Sequence, residues 1–428
     1  MTSDVSKVLI LTYYWPPAGG PGVQRWLKLS KYMAEMGCEV FVVTVDESKG
    51  TYPLRDESLV SDIHPSIHVV RTDTSEQFGA YKKATGNKEV PFSGFANESD
   101  KVSFIQKVAR FARGNFFVPD ARRGWNNHAY SAATKLIQEH DIQYVITSSP
   151  PHSTQLVGKR LKVDFGVKWV ADMRDPWTDI YYYNRFYPTA YTRRREAKME
   201  AEVFLQADAI LTVSAALKSL FASKDRNIAE SKIHVLPNGF DPSDFKEVLA
   251  SKESHEIPVI TYAGTIGKQY PVHGLVSALE NTKEKLILQI IGKWDEHTRV
   301  QLSALPNNIE VRWLDYMPKA ELNSYVANSE VLLLVIPDIE NNEGILTGKI
   351  FDYLGTGNPI LGIGPSNGDA AVILRDSRGG AMFDYYDAEG IGNFLINLNQ
   401  WKSADSSLRT QYSRREQAAL VIDLLNKL

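Results

Sequence analysis

The chain has 428 residues, more than one hydrophobic core usually supports, so we expect two domains. Hydrophobic residues make up 43% and charged residues 23%, as in a soluble globular protein. The formal net charge of -3 excludes a strongly basic nucleic-acid-binding protein. A single cysteine, Cys38, cannot form an internal disulfide, which favours a reducing compartment.

The chain shows neither a signal-peptide pattern nor an apolar run approaching the roughly 18 to 20 residues that cross a bilayer. We therefore expect a cytoplasmic protein, with any membrane contact peripheral on the inner face of the cytoplasmic membrane.

The first part of the chain alternates apolar strands with helical patterns. "KVLILTYY" is followed by a Gly/Pro turn, a helix and the strand "CEVFVVTV". In that helix Val23, Trp26 and Leu27 recur at helical spacing, while Lys28 and Lys31 face away. After an irregular stretch at 73–125, the alternation continues to "IHVLPNG". This pattern predicts a doubly wound parallel sheet in residues 1–240.

The same alternation starts again with "VITYAG", "LILQIIG", "IEVRWL", "EVLLLVI" and "PILGIG". It predicts a second α/β domain at residues 255–405, after a polar linker at 240–256. Residues 406–428 are predicted to form a terminal helix that can cross back to the N-terminal domain. Two domains of this class predict a ligand-binding cleft at their junction.

Glycines crowd the turn "PPAGGPGVQR" between the first strand and the first helix. Gly19 and Gly20 leave backbone amides uncovered at a helix N-terminus, where the partial positive charge favours anions. The spacing is not that of the dinucleotide-binding G-x-G-x-x-G fingerprint. A plain turn and an anion contact therefore both remain open.

A similar loop, "YAGTIGKQY", follows the first strand of the second domain. Here Gly264 and Thr265 are followed by Lys268, which is either a diphosphate ligand or a solvated lysine.

The stretch "PDIENNEGILTGKIFDYLGTGNPIL" combines charged residues with a predicted helix. The helix is predicted to begin near Gly344, with Glu343 close to its start and Gly348 and Lys349 in its first turns. Asp352 follows Lys349 by three residues, on nearly the same face. A carboxylate accepts hydrogen bonds from a ribose diol and a lysine binds phosphate; the alternative is a surface ion pair of little energy.

Further polar residues follow two strands of the first domain. Arg174 and Asp175 lie in "WVADMRDPWTD", and His152 lies in "SSPPHS" after the preceding strand. The carboxyl ends of parallel strands are where such sheets bind ligands, although a lone histidine is more often structural. The chain has no H-E-x-x-H motif and no paired cysteines, so we predict no metal site.

Taken together, these motifs resemble those of the retaining glycosyltransferases of family 4. The resemblance covers nearly the whole chain and implies the GT-B architecture, with two Rossmann-like domains facing across a cleft. It implies a sugar-nucleotide donor, a UDP- or GDP-sugar, held by the C-terminal domain, and a glycan or lipid-linked acceptor held by the N-terminal one. No cofactor is required by this resemblance.

The resemblance also implies residue roles. Gly19 and Gly20 approach the donor diphosphate or sugar, and Asp352 takes the place of the carboxylate that binds ribose. The family's other glutamate is expected at position 344, but here Glu343 precedes it by one residue. Thr265 stands where many members carry an arginine after the glycine corresponding to Gly264.

The phosphate role therefore passes to Lys268 and Lys349, with Gly348 beside them. His152, Arg174 and Asp175 are the catalytic candidates around the reacting sugar. Two alternatives stay open. One is a sugar-nucleotide 2-epimerase, which shares the two-domain architecture; the other is an inactive nucleotide-sugar or glycan-binding module, which the departures at Thr265 and Gly344 make possible.

Basic and aromatic residues alternate in "FIQKVARFARGNFFVPDARRGW" and in "YYYNRFYPTAYTRRR". Such segments bind anionic membrane surfaces, which would fit a lipid-linked acceptor in bacterial surface polysaccharide assembly. Packing on the first domain is the alternative interpretation.

Overall fold

The computed structural model describes residues 7–75, 104–252, 255–340, 342–398, 401 and 406–428. The chain forms two compact units, Met1–Leu236 together with Ala418–Leu428, and Pro237–Gln417.

The first unit is built on a seven-stranded parallel sheet with the strand order β3-β2-β1-β4-β5-β6-β7. Residues of β1 point alternately into two cores, Leu9 and Leu11 into one and Val8 and Ile10 into the other, so both faces are covered. The strands are β1 (Lys7–Leu11), β2 (Glu39–Val45), β3 (His68–Thr72), β4 (Tyr144–Ser149), β5 (Lys168–Met173), β6 (Ala209–Thr212) and β7 (Ile233–Val235). The helices are α1 (Pro21–Glu35), α2 (Phe104–Phe116), α3 (Asn126–His140), α4 (Ser153–Phe165), α5 (Ala190–Gln206) and α6 (Ala215–Ala222).

The second unit contains a six-stranded parallel sheet with the order β10-β9-β8-β11-β12-β13. Its central strand β11 is buried throughout and also contributes to two cores. The strands are β8 (Val259–Ala263), β9 (Leu286–Ile291), β10 (Ile309–Leu314), β11 (Val331–Val335), β12 (Ile360–Ile363) and β13 (Gly380–Phe383). The helices are α7 (Lys246–Ala250), α8 (His273–Asn281), α9 (Glu296–Ser303), α10 (Lys319–Ala327), α11 (Gly348–Thr356), α12 (Asp369–Asp376), α13 (Ala388–Ile396), α14 (Ser406–Thr410) and α15 (Arg414–Asn426).

Short 3-10 helices connect several of these elements. They are Glu57–Asp62, Arg123–Trp125, Tyr183–Phe186, Glu230–Lys232, Pro242–Asp244 and Asn342–Gly344.

The boundary between the units lies at Leu236–Pro237, and the segment expected to be a linker at 240–256 belongs to the second unit. The physical reason is that Phe240 and Phe245 are buried in the core of that unit. Helix α15 begins in the second unit and continues into the first, which includes Ala418–Leu428. The apolar residues of this part of the helix pack in a core of the first unit; they are Ala418, Val421, Ile422 and Leu425.

A buried ion pair fixes α1 to the sheet of the first unit. Asp172 in β5 accepts hydrogen bonds from Arg25 Nη2 at 2.9 Å, Trp26 Nε1 at 2.7 Å and Ser148 Oγ at 3.1 Å. Arg25 also donates to the Leu236 carbonyl oxygen at 2.9 Å, and both charged residues are fully buried. Since breaking such a pair leaves a buried charge uncompensated, the network holds α1 in one position on the sheet.

Candidate functional site

The predicted site residues follow the strands that flank the reversal of strand order in each sheet. In the first unit these strands are β1 and β4, which pair in parallel, and in the second they are β8 and β11. Helices leave such a pair in opposite directions, which opens a crevice at the carboxyl ends of the strands. Each sheet therefore presents its candidate residues at the place where open α/β sheets bind ligands.

The two glycines of the first loop have different surroundings. Gly19 is packed, since an added Cβ would lie 3.0 Å from Asp56 Cβ, and its N–H donates to the Leu54 carbonyl oxygen at 2.9 Å. Gly20, which precedes α1, has φ +100° and open space where a Cβ would be. Gly19 thus shapes the turn, while Gly20 leaves the N-terminus of α1 uncovered.

Arg174 lies directly against the first turn of α1. Its Nε donates to the Ser149 carbonyl oxygen at 3.0 Å, and a Cβ added at Gly22 would overlap its Nη1. Burial lowers the pKa of Arg174 and raises that of Asp175, and the charge of Arg174 opposes the shift at Asp175. A guanidinium beside a helix N-terminus combines two sources of positive potential, which suits an anionic ligand.

His152 stacks on Trp177, with ring centres 5.2 Å apart and planes 7° from parallel. Its Nδ1 is buried and has no hydrogen-bond partner in the described part of the chain. Burial and then the charge of Arg174 lower the pKa of His152 to about 3. The imidazole is therefore neutral near pH 7 and supplies a hydrogen-bonding atom rather than a positive charge.

In the second unit the structure brings Gly264, after β8, together with Lys349, in α11. Gly264 has φ +142°, and a Cβ there would overlap Lys349 Nζ. Lys349 Nζ donates to the Tyr262 hydroxyl at 2.7 Å and lies 4.4 Å from the centre of that ring. Tyr353 ties α11 to the same strand, since its hydroxyl accepts a hydrogen bond from Ala263 N at 3.1 Å.

Lys349 carries a charge that its surroundings do not balance. Within the described residues no carboxylate lies within ion-pair distance of its Nζ, and burial lowers its pKa to about 8. Burying an ammonium group without a carboxylate beside it is unfavourable. The arrangement is therefore suited to a ligand that brings its own negative charge.

The N-terminus of α11 adds donors to this cation. Thr347 occupies the N-cap position, yet its side chain makes no capping hydrogen bond, and its Oγ1 is buried and unpartnered among the described residues. Gly348 and Lys349 are the first two helical residues, where backbone N–H groups lack partners within a helix. Thr347 is not among the residues predicted from the sequence. The feature that could have indicated it is a threonine, a common N-cap residue, directly before Gly348.

The helix itself begins later than predicted from the sequence. It starts at Gly348 rather than near Gly344, because residues Asn342–Gly344 form a separate 3-10 turn. Glu343 is exposed in that turn.

Asp352 does not pair with Lys349 but with another lysine. Its Oδ1 lies 3.4 Å from Lys319 Nζ, and Lys319 lies 3.1 Å from Asp244 Oδ2. Burial raises the pKa of Asp352, and the charge of Lys319 opposes that shift. Thr265 and Lys268 are exposed on the loop after Gly264.

Two features of the described residues bear on metal ions and on membranes. They contain no cluster of three or more His, Cys, Asp or Glu side chains placed to hold a metal ion. None of their helices has both the length and the apolar character to span a bilayer.

Comparison with known proteins adds a sequence match and a structural likeness. Residues 89–244 match the sequence profile of Glycosyltransferase Family 4. No curated protein sequence is detectably similar to the chain.

Solved structures of similar fold cover almost the full length of the chain. Alr3699/HepE from Anabaena, in complex with UDP and glucose, is 12% identical over 99% of this chain and 100% of that one, with a TM-score of 0.59. The lipopolysaccharide outer core galactosyltransferase WaaB is 13% identical over 99% and 100%, with a TM-score of 0.55. An E. coli trehalose-6-phosphate protein bound with UDP-2-fluoro glucose is 11% identical over 99% of both chains, with a TM-score of 0.60.

At these identities the structural likeness establishes the fold, and the predicted GT-B class, two Rossmann-like parallel α/β domains, is confirmed. The family match covers residues 89–244 and agrees with the resemblance to glycosyltransferase family 4 that the sequence motifs carry.

Proposed function

We propose that the protein is a retaining, metal-independent glycosyltransferase that moves a sugar from a nucleotide-diphosphate sugar to a hydroxyl of a glycan or lipid-linked glycan. The observation that carries this proposal is the unbalanced Lys349 cation beside the uncapped N-terminus of α11. Both lie at the strand-order reversal of the second sheet, and a diphosphate would satisfy both.

In the proposed reaction the acceptor oxygen bonds to the anomeric carbon while the bond from that carbon to the diphosphate breaks. The electron pair leaves with the diphosphate, which also takes the acceptor's proton. Lys349 and the N–H groups of α11 stabilise the charge that develops on the leaving group. Attack on the face that the diphosphate leaves retains the configuration of the anomeric carbon.

The remaining candidates have roles consistent with their positions. In the second unit Gly264 allows the close approach of Lys349, and Asp352 binds the ribose of the donor. We assign Glu343, Thr265 and Lys268 to contacts at the periphery of the donor. In the first unit we assign Gly20 to the approach of the donor, and Gly19 to the turn that positions it. There His152, Arg174 and Asp175 contact the reacting sugar and the acceptor. Neutral His152 acts in this scheme as a hydrogen-bonding group.

The structural neighbours guide the choice of donor and acceptor. Anabaena HepE was solved with UDP and glucose, and the E. coli protein with UDP-2-fluoro glucose, so UDP-glucose is the first donor to test and a GDP-sugar the second. WaaB is a lipopolysaccharide galactosyltransferase, which supports a role in bacterial surface polysaccharide biosynthesis. We place the protein in the cytoplasm, peripherally on the inner face of the membrane.

Incubation with UDP- and GDP-sugars and a panel of glycan acceptors tests the proposal. We expect release of nucleotide diphosphate that continues in the presence of EDTA, and a product whose anomeric configuration, read by NMR, equals that of the donor. A product of inverted configuration contradicts the retaining mechanism. Complete loss of activity with EDTA contradicts metal independence. A donor converted to its 2-epimer indicates an epimerase, and binding without turnover indicates an inactive module.

A further inference from the structure

Helix α2 and the segment 180–195 pack together on the surface of the first unit; we call them the α2 surface. Asn115 Nδ2 donates to the Tyr187 carbonyl oxygen at 3.1 Å, and its Oδ1 accepts from Thr189 N at 2.8 Å. The Arg113 guanidinium lies 4.8 Å from the centre of the Phe186 ring. These contacts hold the C-terminal end of the helix against the domain.

The preceding turns of α2 present large apolar side chains to solvent. Phe104 is 80% exposed, Val108 51% and Phe111 42%, and their spacing of four and then three residues places them in one stripe along the helix. Tyr187 lies beside this stripe and lines, with Lys107, Val108 and Phe111, a shallow groove of about 290 Å³. A contiguous exposed apolar patch of this kind indicates an interaction surface.

The charge of the α2 surface has one sign. Residues 104–119 contain Lys107, Arg110 and Arg113 and no Asp or Glu. Residues 180–195 contain four arginines and, again, no acidic residue. The chain as a whole has a net charge of -3, so these two segments are much more basic than the rest of the chain. This combination is complementary to anionic lipid headgroups over an acyl interior.

We propose that the α2 surface docks on an anionic lipid bilayer, with α2 parallel to the membrane and Phe104, Val108 and Phe111 inserted below the headgroups. The helix spans 13 residues, which fits an interfacial position and is too short to cross the bilayer. Lys107 and the arginines of segment 180–195 contact the headgroups. This inference does not depend on transferase activity, but it would place the first unit where a lipid-linked acceptor is found.

Co-sedimentation of the full chain with vesicles tests the proposal. We expect binding to vesicles of equal parts phosphatidylglycerol and phosphatidylcholine, and little binding to pure phosphatidylcholine. Raising the salt concentration weakens the binding because counter-ions screen the basic residues.

Paired variants test the apolar stripe. Phe104→Ser combined with Phe111→Ser is expected to reduce the partition coefficient at least about tenfold, since two aromatic side chains no longer leave water. The control is Val163→Ser, which removes an apolar side chain that is 70% exposed and lies near the end of α4, outside the α2 surface. Thermal unfolding verifies that each variant is folded, as expected for exposed positions.

A second pair tests the charge. Lys107→Glu combined with Arg194→Glu is expected to reduce binding by more than about tenfold. The control, Lys168→Glu combined with Lys283→Glu, makes the same change of net charge at exposed positions outside the α2 surface.

The proposal is overturned if the wild type stays in solution with both kinds of vesicle, or binds neutral vesicles equally well. It is also overturned if the stripe variant loses no more binding than Val163→Ser. Self-association that disappears in the stripe variant, without vesicle binding, would identify a second copy of the chain as the occupant instead. Glycosyl transfer to a water-soluble acceptor, measured in parallel, shows separately whether the proposed activity holds.

Discussion

Lys349 Nζ and the hydroxyl of Tyr262 lie 2.7 Å apart, and the same ammonium group lies 4.4 Å from the centre of the tyrosine ring. The ring and its hydroxyl provide the polar contacts that the structure shows for this cation, and they offer no negative charge. A lysine held in this way is directed to a fixed position while its charge stays available.

Replacing Lys349 by Met should change ligand affinity and stability in opposite directions. We expect the affinity for UDP-glucose to fall by about 1–3 kcal/mol, the scale of a hydrogen bond to a charged group. The free energy of unfolding near neutral pH should rise by about 1–2 kcal/mol, because folding no longer desolvates an ammonium group. Calorimetric titration and denaturant unfolding measure the two quantities.

Lys283→Met is the control, since this lysine is exposed and precedes β9. It should change neither quantity by more than about 0.5 kcal/mol. Unchanged affinity in Lys349→Met would remove the lysine from the proposed site.

The lowered pKa of Lys349 predicts how affinity depends on pH. With a pKa of about 8, the group is mostly protonated near neutral pH and mostly neutral one unit above its pKa. The affinity for UDP-glucose should therefore fall about tenfold between about pH 7 and about pH 9. UDP-glucose is a better probe than free UDP for this measurement, because its diphosphate has no proton to lose between these pH values.

Lys349→Arg keeps its charge across the same range and should lose this pH dependence. A wild type whose affinity is constant between these pH values would contradict the assignment.

Gly264→Ala tests the close approach of β8 and Lys349. An added methyl group overlaps Lys349 Nζ at a backbone φ of +142° that favours glycine, so we expect a displaced lysine and weaker donor binding. Gly267→Ala is the matched control in the same loop, because its nearest neighbour, Gln269 Oε1, would lie 3.5 Å from the new Cβ. In a Lys349→Met background the effect of Gly264→Ala on affinity should largely disappear, as a double-mutant cycle would show.

Gly20→Ala is expected to reduce turnover by more than the loss of folded protein can explain. Gly20 and Gly37 have φ of +100° and +95°, and neither has an atom within 4 Å of an added Cβ. Both substitutions should therefore destabilise the fold by about 1–3 kcal/mol through backbone strain. A loss of kcat/KM confined to Gly20→Ala would support its role, whereas equal losses in both variants would contradict it.

Asp352→Asn distinguishes contact with the ribose from simple pairing with Lys319. We expect it to weaken UDP binding by about 1–3 kcal/mol. Asp244→Asn removes the other carboxylate of the same lysine, at 3.1 Å, and should leave binding nearly unchanged. Equal effects of the two variants would show that Asp352 acts only through Lys319.

Most of the fold was predictable because it follows from local patterns. The buried strands are continuous apolar runs, and glycine-rich loops mark the ends of β1 and β8, so the order of elements and the two α/β units could be read directly. The positions of His152, Arg174 and Gly264 after their strands also followed from this order.

The partners of the charged residues could not be read in the same way, because they come from distant parts of the chain. Lys28 was predicted to face away from the core but is buried, with its Nζ 2.9 Å from Asp62 in a later 3-10 helix. Arg25 meets Asp172, and Lys349 meets Tyr262, across 147 and 87 residues. No periodicity encodes such contacts, since they depend on how the strands pair.

Gly22 and Arg174 illustrate a constraint of a different kind. Because a Cβ at position 22 would overlap the guanidinium, a substitution of Gly22 requires the Arg174 side chain to move from its contact with the Ser149 carbonyl oxygen. A larger residue at position 22 fits without this movement only when position 174 carries a shorter side chain. Related sequences should therefore show glycine and arginine at these positions gained or lost as a pair.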